Sequence, residues 1–356
     1  MKIGIYGGTF DPPHNGHIAA AKAAMERLSL DKLLLVPTFI PPHKELPAGA
    51  ASPQQRLDMT VLATAALGKK AEVLDVELRR GGPSYSWETL CMMKQQYPDD
   101  EIFLLMGSDM FLTLQDWRES RQVMSMARIG AFSRMQGGEE AAFARQKAFL
   151  EREYGADVTV IPNPQVVELS STEVRQALAQ GGGADLLPAA VYGYVLREKL
   201  YGTHMPLAGL TPDELRPIAL SYLKPKRMPH VLGTEQEAVR LVRHYGGDET
   251  QARIAALLHD CTKKLDMPEQ LALCAEYGIE LDELERKALK LLHSKTGAAI
   301  ARGVFGVEDA VYNAIWYHTT GKPDMTRLEK IIYLADYIEP SRDFDGVEEL
   351  RRAVYE

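Results

Sequence analysis

The stretch GGTFDPPHNGH, residues 7–17, sets His14 and His17 three apart across an Asn-Gly pair, directly after a glycine-rich turn. If a helix opens at about Asn15, both imidazoles share one face of its first turn. The unpaired backbone N–H groups there carry the positive end of the helix dipole, which suits an anion and above all a phosphate. Gly16 lets a ligand approach the backbone closely. The plain alternative is a capped helix with two solvent-facing histidines. A second helix start, VELSSTEVRQAL, offers Ser170 as cap, Glu173 as its capping-box partner and Arg175 projecting from the first turn. Taken alone, it is also compatible with an ordinary surface helix.

A different chemistry is spelled further along. His230 stands near a helix start in MPHVLGTEQEAVRLV, His259 and Asp260 lie late in a helix in LLHDCTKKL, and His293, His318 and Asp336 follow in KLLHSKTG, IWYHTTG and YLADYIEP. Any one of these is usually a polar group satisfied within its helix. A carboxylate inside the apolar run around Asp336, however, needs a partner. Each on its own helical segment except the adjacent pair His259–Asp260, the six are placed to converge as metal ligands do in helix bundles. Nitrogen and oxygen donors suit Fe, Mn, Zn or another divalent ion, with Cys261 the one thiol nearby.

The elements that must position these groups fall into two parts. KIGIY, KLLLVPT, AEVLDVEL, EIFLLMG, RIGAFSR and VTVIPN read as strands, alternating with helices at 15–28, 52–67, 84–97, 116–125, 139–154 and 171–179. That alternation predicts an α/β domain with a mainly parallel sheet. After about residue 185 the strand signals stop, and the Gly- and Pro-rich YGTHMPLAGLTP reads as a linker. Helical periodicity then runs through 212–223, 230–245, 248–263, 267–277, 282–303, 307–318 and 326–338. The expected division is 1–203, a linker at 204–211, and an all-α domain at 212–356.

Composition narrows the function classes. The 356 residues are 46% hydrophobic and 25% charged with net charge −8, the balance of a globular protein too long for one ordinary core. Residues 1–206 carry 21 Lys/Arg against 24 Asp/Glu, and residues 207–356 carry 20 against 25, so neither part is a basic surface for nucleic acid. The longest apolar runs, such as 33–36 and 102–106, are far short of a membrane span. Glycines and a turn come too early for a signal peptide, and Cys91, Cys261 and Cys274 lack disulfide or metal spacing, which together point to the cytoplasm. Self-association stays open.

With GIYGGTFDPPHNGH, VPTFIPPHK, GGPSYSWETL, GSDMFLTLQDWRE and SSTEVR on one chain, residues 1 to about 202 resemble the bacterial nicotinate-mononucleotide adenylyltransferases, of the H-x-G-H nucleotidyltransferase superfamily. The resemblance implies a Rossmann-like fold and transfer of AMP from ATP to nicotinate mononucleotide, releasing pyrophosphate and assisted by Mg²⁺. Gly8, Thr9 and Phe10 would adjoin ATP. His14 and His17 would stabilise its phosphates, with Ser171, Thr172 and Arg175 holding the triphosphate from the other side. Lys44 would meet the mononucleotide phosphate, and Trp117 would stack on the pyridine ring or serve only packing. Tyr85, Ser86, Thr89 and Asp109 would line the same pocket.

Residues from about 212 resemble the YqeK-like HD-domain phosphohydrolases, which split diadenosine tetraphosphate into two ADP and carry iron. The implied metal ligands are His230, His259, Asp260 and Asp336. His293 and His318 would serve a second metal or the substrate phosphate, while Lys263, Arg342 and Arg227 would neutralise phosphate charge. The family pattern runs on for a further helical segment past Gly346, so this domain is expected to stop short of it at ELRRAVYE. Two other readings stay open: a different nucleotide substrate, and a regulatory module that binds nucleotide or metal.

Overall fold

A computed structural model describes residues 1–42, 45–133, 139–162 and 169–356, with nothing of the Glu139 side chain. Contacts divide the chain into two compact units, Met1–Val191 with Leu200–Thr203, and Tyr192–Lys199 with His204–Glu356.

In the first unit, β1 (Lys2–Gly8), β2 (Lys32–Pro37), β3 (Ala71–Val73), β4 (Glu101–Met106), β5 (Arg128–Ser133) and β6 (Val158–Pro162) form one sheet in the order β3-β2-β1-β4-β5-β6. Every pairing is parallel. The helices are α1 (Asn15–Arg27), α2 (Pro53–Ala63), α3 (Val76–Arg80), α4 (Ser86–Gln96), α5 (Ser108–Leu112), α6 (Ser120–Met126), α7 (Glu139–Tyr154) and α8 (Ser171–Ala179). A parallel sheet must be covered on both faces, which is why its strands read as unbroken apolar runs. Alternate residues Ile5, Val36, Leu104 and Ile129 pack on one face against Leu90, Phe111, Val123 and Phe143 from α4 to α7. The chain winds outward from β1 through β2 to β3, then crosses back to place β4 on the other side of β1. Such a switch point opens a crevice beyond the carboxyl ends of the strands, and this is where GGTFDPPHNGH lies.

The expected strand AEVLDVEL survives only as Ala71–Val73. β3 is an edge strand with ladder bonds to β2 alone. The chain then turns into α3, where Asp75 and Arg79 form an i,i+4 ion pair at 2.7 Å.

The second unit is helical: α9 (Ala189–Arg197, from Tyr192 onward), α10 (Pro212–Ser221), α11 (Met228–Tyr245), α12 (Glu249–Leu258), α13 (Met267–Glu276), α14 (Leu289–Phe305), α15 (Asp309–Tyr317), α16 (Arg327–Ile338) and α17 (Val347–Tyr355). α12 is the buried centre, its Ala252, Ala255, Ala256, Leu257 and Leu258 fully enclosed between α10, α11, α15 and α16. Two expected helices are shorter. The one placed at 282–303 begins at Leu289, because Asp282 and Glu285 cap only a single turn and Ala288 leaves helical geometry at φ −115°, ψ 76°. The one placed at 248–263 ends at Leu258. α17 was not among the expected helices; its Arg351 donates to the carbonyls of Ile338, Glu339 and Arg342, tying down the chain that follows Asp336.

One buried cation organises the first unit's crevice. Arg56 on α2 is fully enclosed, and its guanidinium donates to the carbonyls of Thr9 at 2.9 Å, Thr38 at 2.6 Å and Phe39 at 2.9 Å. The loops after β1 and β2 are thereby locked to one side chain. Replacing it by Leu would orphan those carbonyls, so Arg56→Leu should cost about 3 kcal/mol or more of first-unit stability. Denaturant titration followed by a first-unit probe checks this, and a loss below about 1 kcal/mol would contradict it.

Candidate active sites

In the first unit the two expected anion-binding helix starts meet. His14 caps α1, and its backbone N–H donates to His17 Nδ1 at 3.2 Å, with the two rings 3.8 Å apart. The α8 start is capped by Ser170, whose side chain and Glu173 bond reciprocally as the sequence predicts. Although some 160 residues separate them, Arg175 Nη1 donates to the carbonyl of Asp11 at 2.6 Å, and Ser171 Oγ donates to that of Pro12 at 3.4 Å. Thr172 Oγ1 accepts from Arg175 Nη2 at 3.2 Å. The Asp11 carboxylate anchors the turn, accepting from Ala51 N–H at 3.0 Å and Tyr201 OH at 2.7 Å.

His14 is buried and its Nδ1 has no hydrogen-bond partner among the described residues. Burial lowers its pKa to about 4 against the attraction of Glu173, so the ring is neutral at pH 7. A Cβ on Gly16 would stand 3.0 Å from that nitrogen, so Gly16 makes room for His14 as well as for any ligand. Phe10 is buried, its ring edge-on to His17 at 5.2 Å. Gly8 admits that ring, since a Cβ there would meet it at 3.0 Å. Thr9 contributes its carbonyl to Arg56.

The expected mononucleotide residues are more dispersed in character. Tyr85 is half-buried under Arg118, whose guanidinium carbon lies 4.8 Å from the ring centroid. Ser86 begins α4, and Asp109 is exposed in the first turn of α5. Trp117 is half-buried against the core. Thr89 is buried, its hydroxyl donated at 2.7 Å to Glu77, whose carboxyl is raised by burial. Lys44 lies outside the described residues.

In the second unit all six candidate ligands converge. The proton on each ring's Nδ1 is engaged locally: His259 on Ala256 O at 2.6 Å, His293 on Lys290 O at 2.7 Å, His318 on Ile315 O at 2.6 Å, and His230 on Glu339 Oε1 at 2.9 Å. Every Nε2 then presents a lone pair inward. His259 and His318 occupy the C-caps of α12 and α15, where the chain leaves the helix and lets the ring turn in.

The inward atoms crowd one another. His230 Nε2 is 3.3 Å from His259 Nε2 and 3.0 Å from Asp336 Oδ1, and His293 Nε2 is 3.1 Å from His318 Nε2. Asp260 stands between the groups: Oδ2 is 3.6 Å from His259 Nε2, and Oδ1, buried and without a hydrogen bond among the described residues, is 3.3 Å from His293 Nε2. Three overlapping triplets result, His230–His259–Asp260, His259–His318–Asp336 and Asp260–His293–His318. Electron-rich atoms facing one another repel unless a cation sits between them. Separations near 3.0–3.4 Å are the edges of a coordination polyhedron built on bonds of about 2.1 Å. The donor set therefore fits a divalent metal, with Asp260 able to serve two.

Burial pushes the His318 ring down to about 3 and also lowers His259, keeping both imidazoles unprotonated as ligands must be. Burial opposes ionisation of Asp260 and Asp336. Neighbouring rings outweigh it, helped by Arg227 and Lys263 at Asp260 and by Arg342 at Asp336, so both carboxyls stay well below the usual range. Arg227 reaches Asp260 Oδ2 at 2.5 Å, and Arg342 Nη2 reaches Asp336 Oδ1 at 2.5 Å. Lys263 Nζ lies 2.9 Å from His293 Nε2, its pKa lowered by burial.

Residues 5–177 match the cytidylyltransferase-like family model and residues 227–341 the HD domain model. A probable nicotinate-nucleotide adenylyltransferase from Shewanella sp. (strain ANA-3) is 39% identical over 215 residues, 56% of this chain and 99% of its own. One from Desulfatibacillum aliphaticivorans is 34% identical over 222 residues, 56% of this chain and 100% of its own. This chain belongs to the nicotinate-nucleotide adenylyltransferase family. It differs from those relatives in carrying an HD domain beyond the region they share. A solved structure described as a predicted HD superfamily hydrolase involved in NAD metabolism, from Clostridium acetobutylicum, is 44% identical, covering 41% of this chain and 78% of its own with a TM-score of 0.40.

Sequence reasoning missed several residues of this adenylyltransferase–HD chain. Arg56 carries no motif signal, and Asp11, though it lies inside GGTFDPPHNGH, has no role assigned by that motif's two histidines. Thr319 follows His318, with Oγ1 3.2 Å from His318 Nε2. Glu339, three residues after Asp336 and fully buried, holds His230 and is itself fixed by Ser341 N–H at 2.7 Å. Gly233 makes space for it, because a Cβ there would stand 2.5 Å from Glu339 Oε2.

Supporting partners of this kind tune affinity by about 10–100-fold. Glu339→Gln should therefore weaken Mn²⁺ binding by about that factor with the helices intact. Equilibrium dialysis and far-UV circular dichroism check it, and unchanged affinity would remove Glu339 from the centre.

Proposed function

We propose that the chain is a bifunctional enzyme. Its first unit transfers AMP from ATP to nicotinate mononucleotide. A phosphate oxygen of the mononucleotide attacks the α-phosphorus of ATP, the bond to the β-phosphate breaks, and deamido-NAD and pyrophosphate leave. The observation that carries this reading is the meeting of two helix starts at the sheet's switch point, with His14 and His17 on one and Ser171, Thr172 and Arg175 on the other. The names of the family's members support the substrates. Catalysis there is positioning and charge stabilisation, with Mg²⁺ as the cation of ATP. Gly8 and Thr9 would face the nucleotide through their backbone. Trp117, Tyr85, Ser86 and Asp109 remain the proposed pyridine-side residues, and Thr89 would act by holding Glu77. His17→Ala should lower turnover by about 10²–10³ with the fold retained. Turnover close to that of the parent in a pyrophosphate-release assay would remove the phosphate role.

The helical unit, in the same proposal, is a phosphohydrolase that splits diadenosine tetraphosphate symmetrically into two ADP. Its support is Asp260, shared between two groups of inward lone pairs and flanked by Arg227 and Lys263, with Arg342 on Asp336. His230, His259, Asp260 and Asp336 would hold the metal, iron in this proposal, with His293 and His318 at a second position or at the substrate phosphate. When bound, a divalent metal supplies Lewis-acid polarisation of the phosphoryl group and a more acidic water. The chain's own cations offset the substrate's negative charge, and Thr319 offers a hydroxyl at the same rim.

A cytoplasmic setting belongs to the same proposal, supported by three free thiols; no described helix is long and apolar enough to cross a membrane. Asp260→Ala should lose bound metal and ADP release while adenylyl transfer persists. Full metal content with undiminished ADP release would overturn the site.

A further inference from the structure

The Asp11 carboxylate, 2% exposed, is enclosed far more deeply than carboxylates usually are, and its two oxygens are treated unequally. Oδ1 accepts from Ala51 N–H at 3.0 Å and from Tyr201 OH at 2.7 Å. Oδ2 is buried without a hydrogen-bond partner among the described residues and lies 3.5 Å from Arg175 Nη1. The same Nη1 donates to the Asp11 carbonyl at 2.6 Å, and Nη2 donates to Thr172 Oγ1 at 3.2 Å. These two bonds leave further N–H groups of the guanidinium fork for an anion.

Tyr201 reaches Asp11 by an uncommon backbone path. Neither Lys199 nor Tyr201 is a glycine, yet both take left-handed geometry, at φ 53° and 55°. Such residues cost energy, and the surrounding structure must hold them. The turn Leu200–Gly202 packs against α8, the helix that bears Arg175, and the Tyr201 ring is buried there. A core position alone would be filled as well by phenylalanine. The hydroxyl instead meets Asp11; burial and the neighbouring carboxylate push its pKa up, so it stays protonated and donates.

We propose that Tyr201 and Asp11 are positioning residues for ATP: Tyr201 fixes the Asp11 carboxylate, which holds Arg175 in the orientation that meets the triphosphate. The inference rests on the reading of this crevice as the ATP site. An arginine that clamps a phosphate loses rotamer freedom, and one already held by Asp11 has lost it in the unliganded protein. A carboxylate by itself repels a triphosphate, so Asp11 assists only through Arg175. The contribution of Tyr201 therefore depends on Arg175 being present.

ATP with Mg²⁺ is titrated into the full chain, and protection from hydrogen exchange in peptides spanning residues 7–17 and 169–177 gives an affinity local to this crevice. Tyr201→Phe should weaken ATP binding by about 10-fold, the loss of one hydrogen bond to a charged group. The KM for nicotinate mononucleotide, read from pyrophosphate release, should stay unchanged. With Arg175→Ala already in place, adding Tyr201→Phe should weaken ATP no further.

Unchanged ATP affinity in Tyr201→Phe overturns the proposal, as does equal weakening toward both substrates or a second full loss in the Arg175→Ala chain. If Tyr201→Phe does not fold, Asp11→Asn decides, since it must weaken ATP only where Arg175 is present. A parent that binds ATP here but releases no pyrophosphate would refute the transferase reading, and the exchange data would still decide the positioning role. A parent without ATP protection here would overturn both.

Discussion

Buried polar atoms must be paired, and both candidate sites lie where this chain leaves them unpaired. Most hydrogen-bonding groups in the interior are answered by backbone or side chain. Among the described residues, His14 Nδ1, Asp11 Oδ2 and Asp260 Oδ1 have no hydrogen-bond partner. The Glu77–Arg80 group shares this property, so an orphaned atom alone does not mark a site. What distinguishes His14 and Asp260 is company: one stands where two helix starts meet, the other among four inward lone pairs. Each arrangement is costly in isolation and becomes favourable when a group of opposite character enters, phosphate in one case and a cation in the other.

The two units reach this end by different structural means. In the parallel sheet, topology does the work. The order β3-β2-β1-β4-β5-β6 opens a crevice at the end of β1, and Arg56 ties the loops of β1 and β2 together so that the backbone there is held for a ligand. In the bundle, helix ends do the work. His259 and His318 are the C-caps of α12 and α15, and their Nδ1 protons are spent on carbonyls one turn back, so ring orientation follows from the helix itself. Glu339 does for His230 what those carbonyls do for the others, and Gly233 leaves it room. α17, through Arg351, then braces the segment that bears Asp336, Glu339 and Arg342.

Much of this was readable from residue order. The alternation of apolar runs with amphipathic stretches implied a parallel sheet followed by helices, because a strand buried on both faces has no polar positions and a helix on a core has a regular polar face. Ser170 and Glu173 announced their cap three residues apart, since that bond is local. The H…HD…H…H…D order likewise named the residues that converge, because several imidazoles and carboxylates inside apolar helices need partners and find them in one another. Where local signals competed, the sequence misled: AEVLDVEL has the composition of a strand throughout, yet an edge position supplies ladder partners on one side only, and Asp75 with Arg79 favours a helical turn.

Tertiary structure alone decided which groups meet. That Arg175 lies on the Asp11 carbonyl, some 160 residues away, depends on the placing of α8 beside the β1 loop, which no spacing encodes. That Asp260 faces two sets of candidate ligands with its two oxygens depends on α12 ending at Leu258 and on four other segments arriving at the same point. Arg56, Asp11, Thr319 and Glu339 stayed hidden for the same reason: their roles are bonds to distant carbonyls, imidazoles and amides, and a residue's type says what it can bond, while only the folded chain says what stands within 3 Å of it.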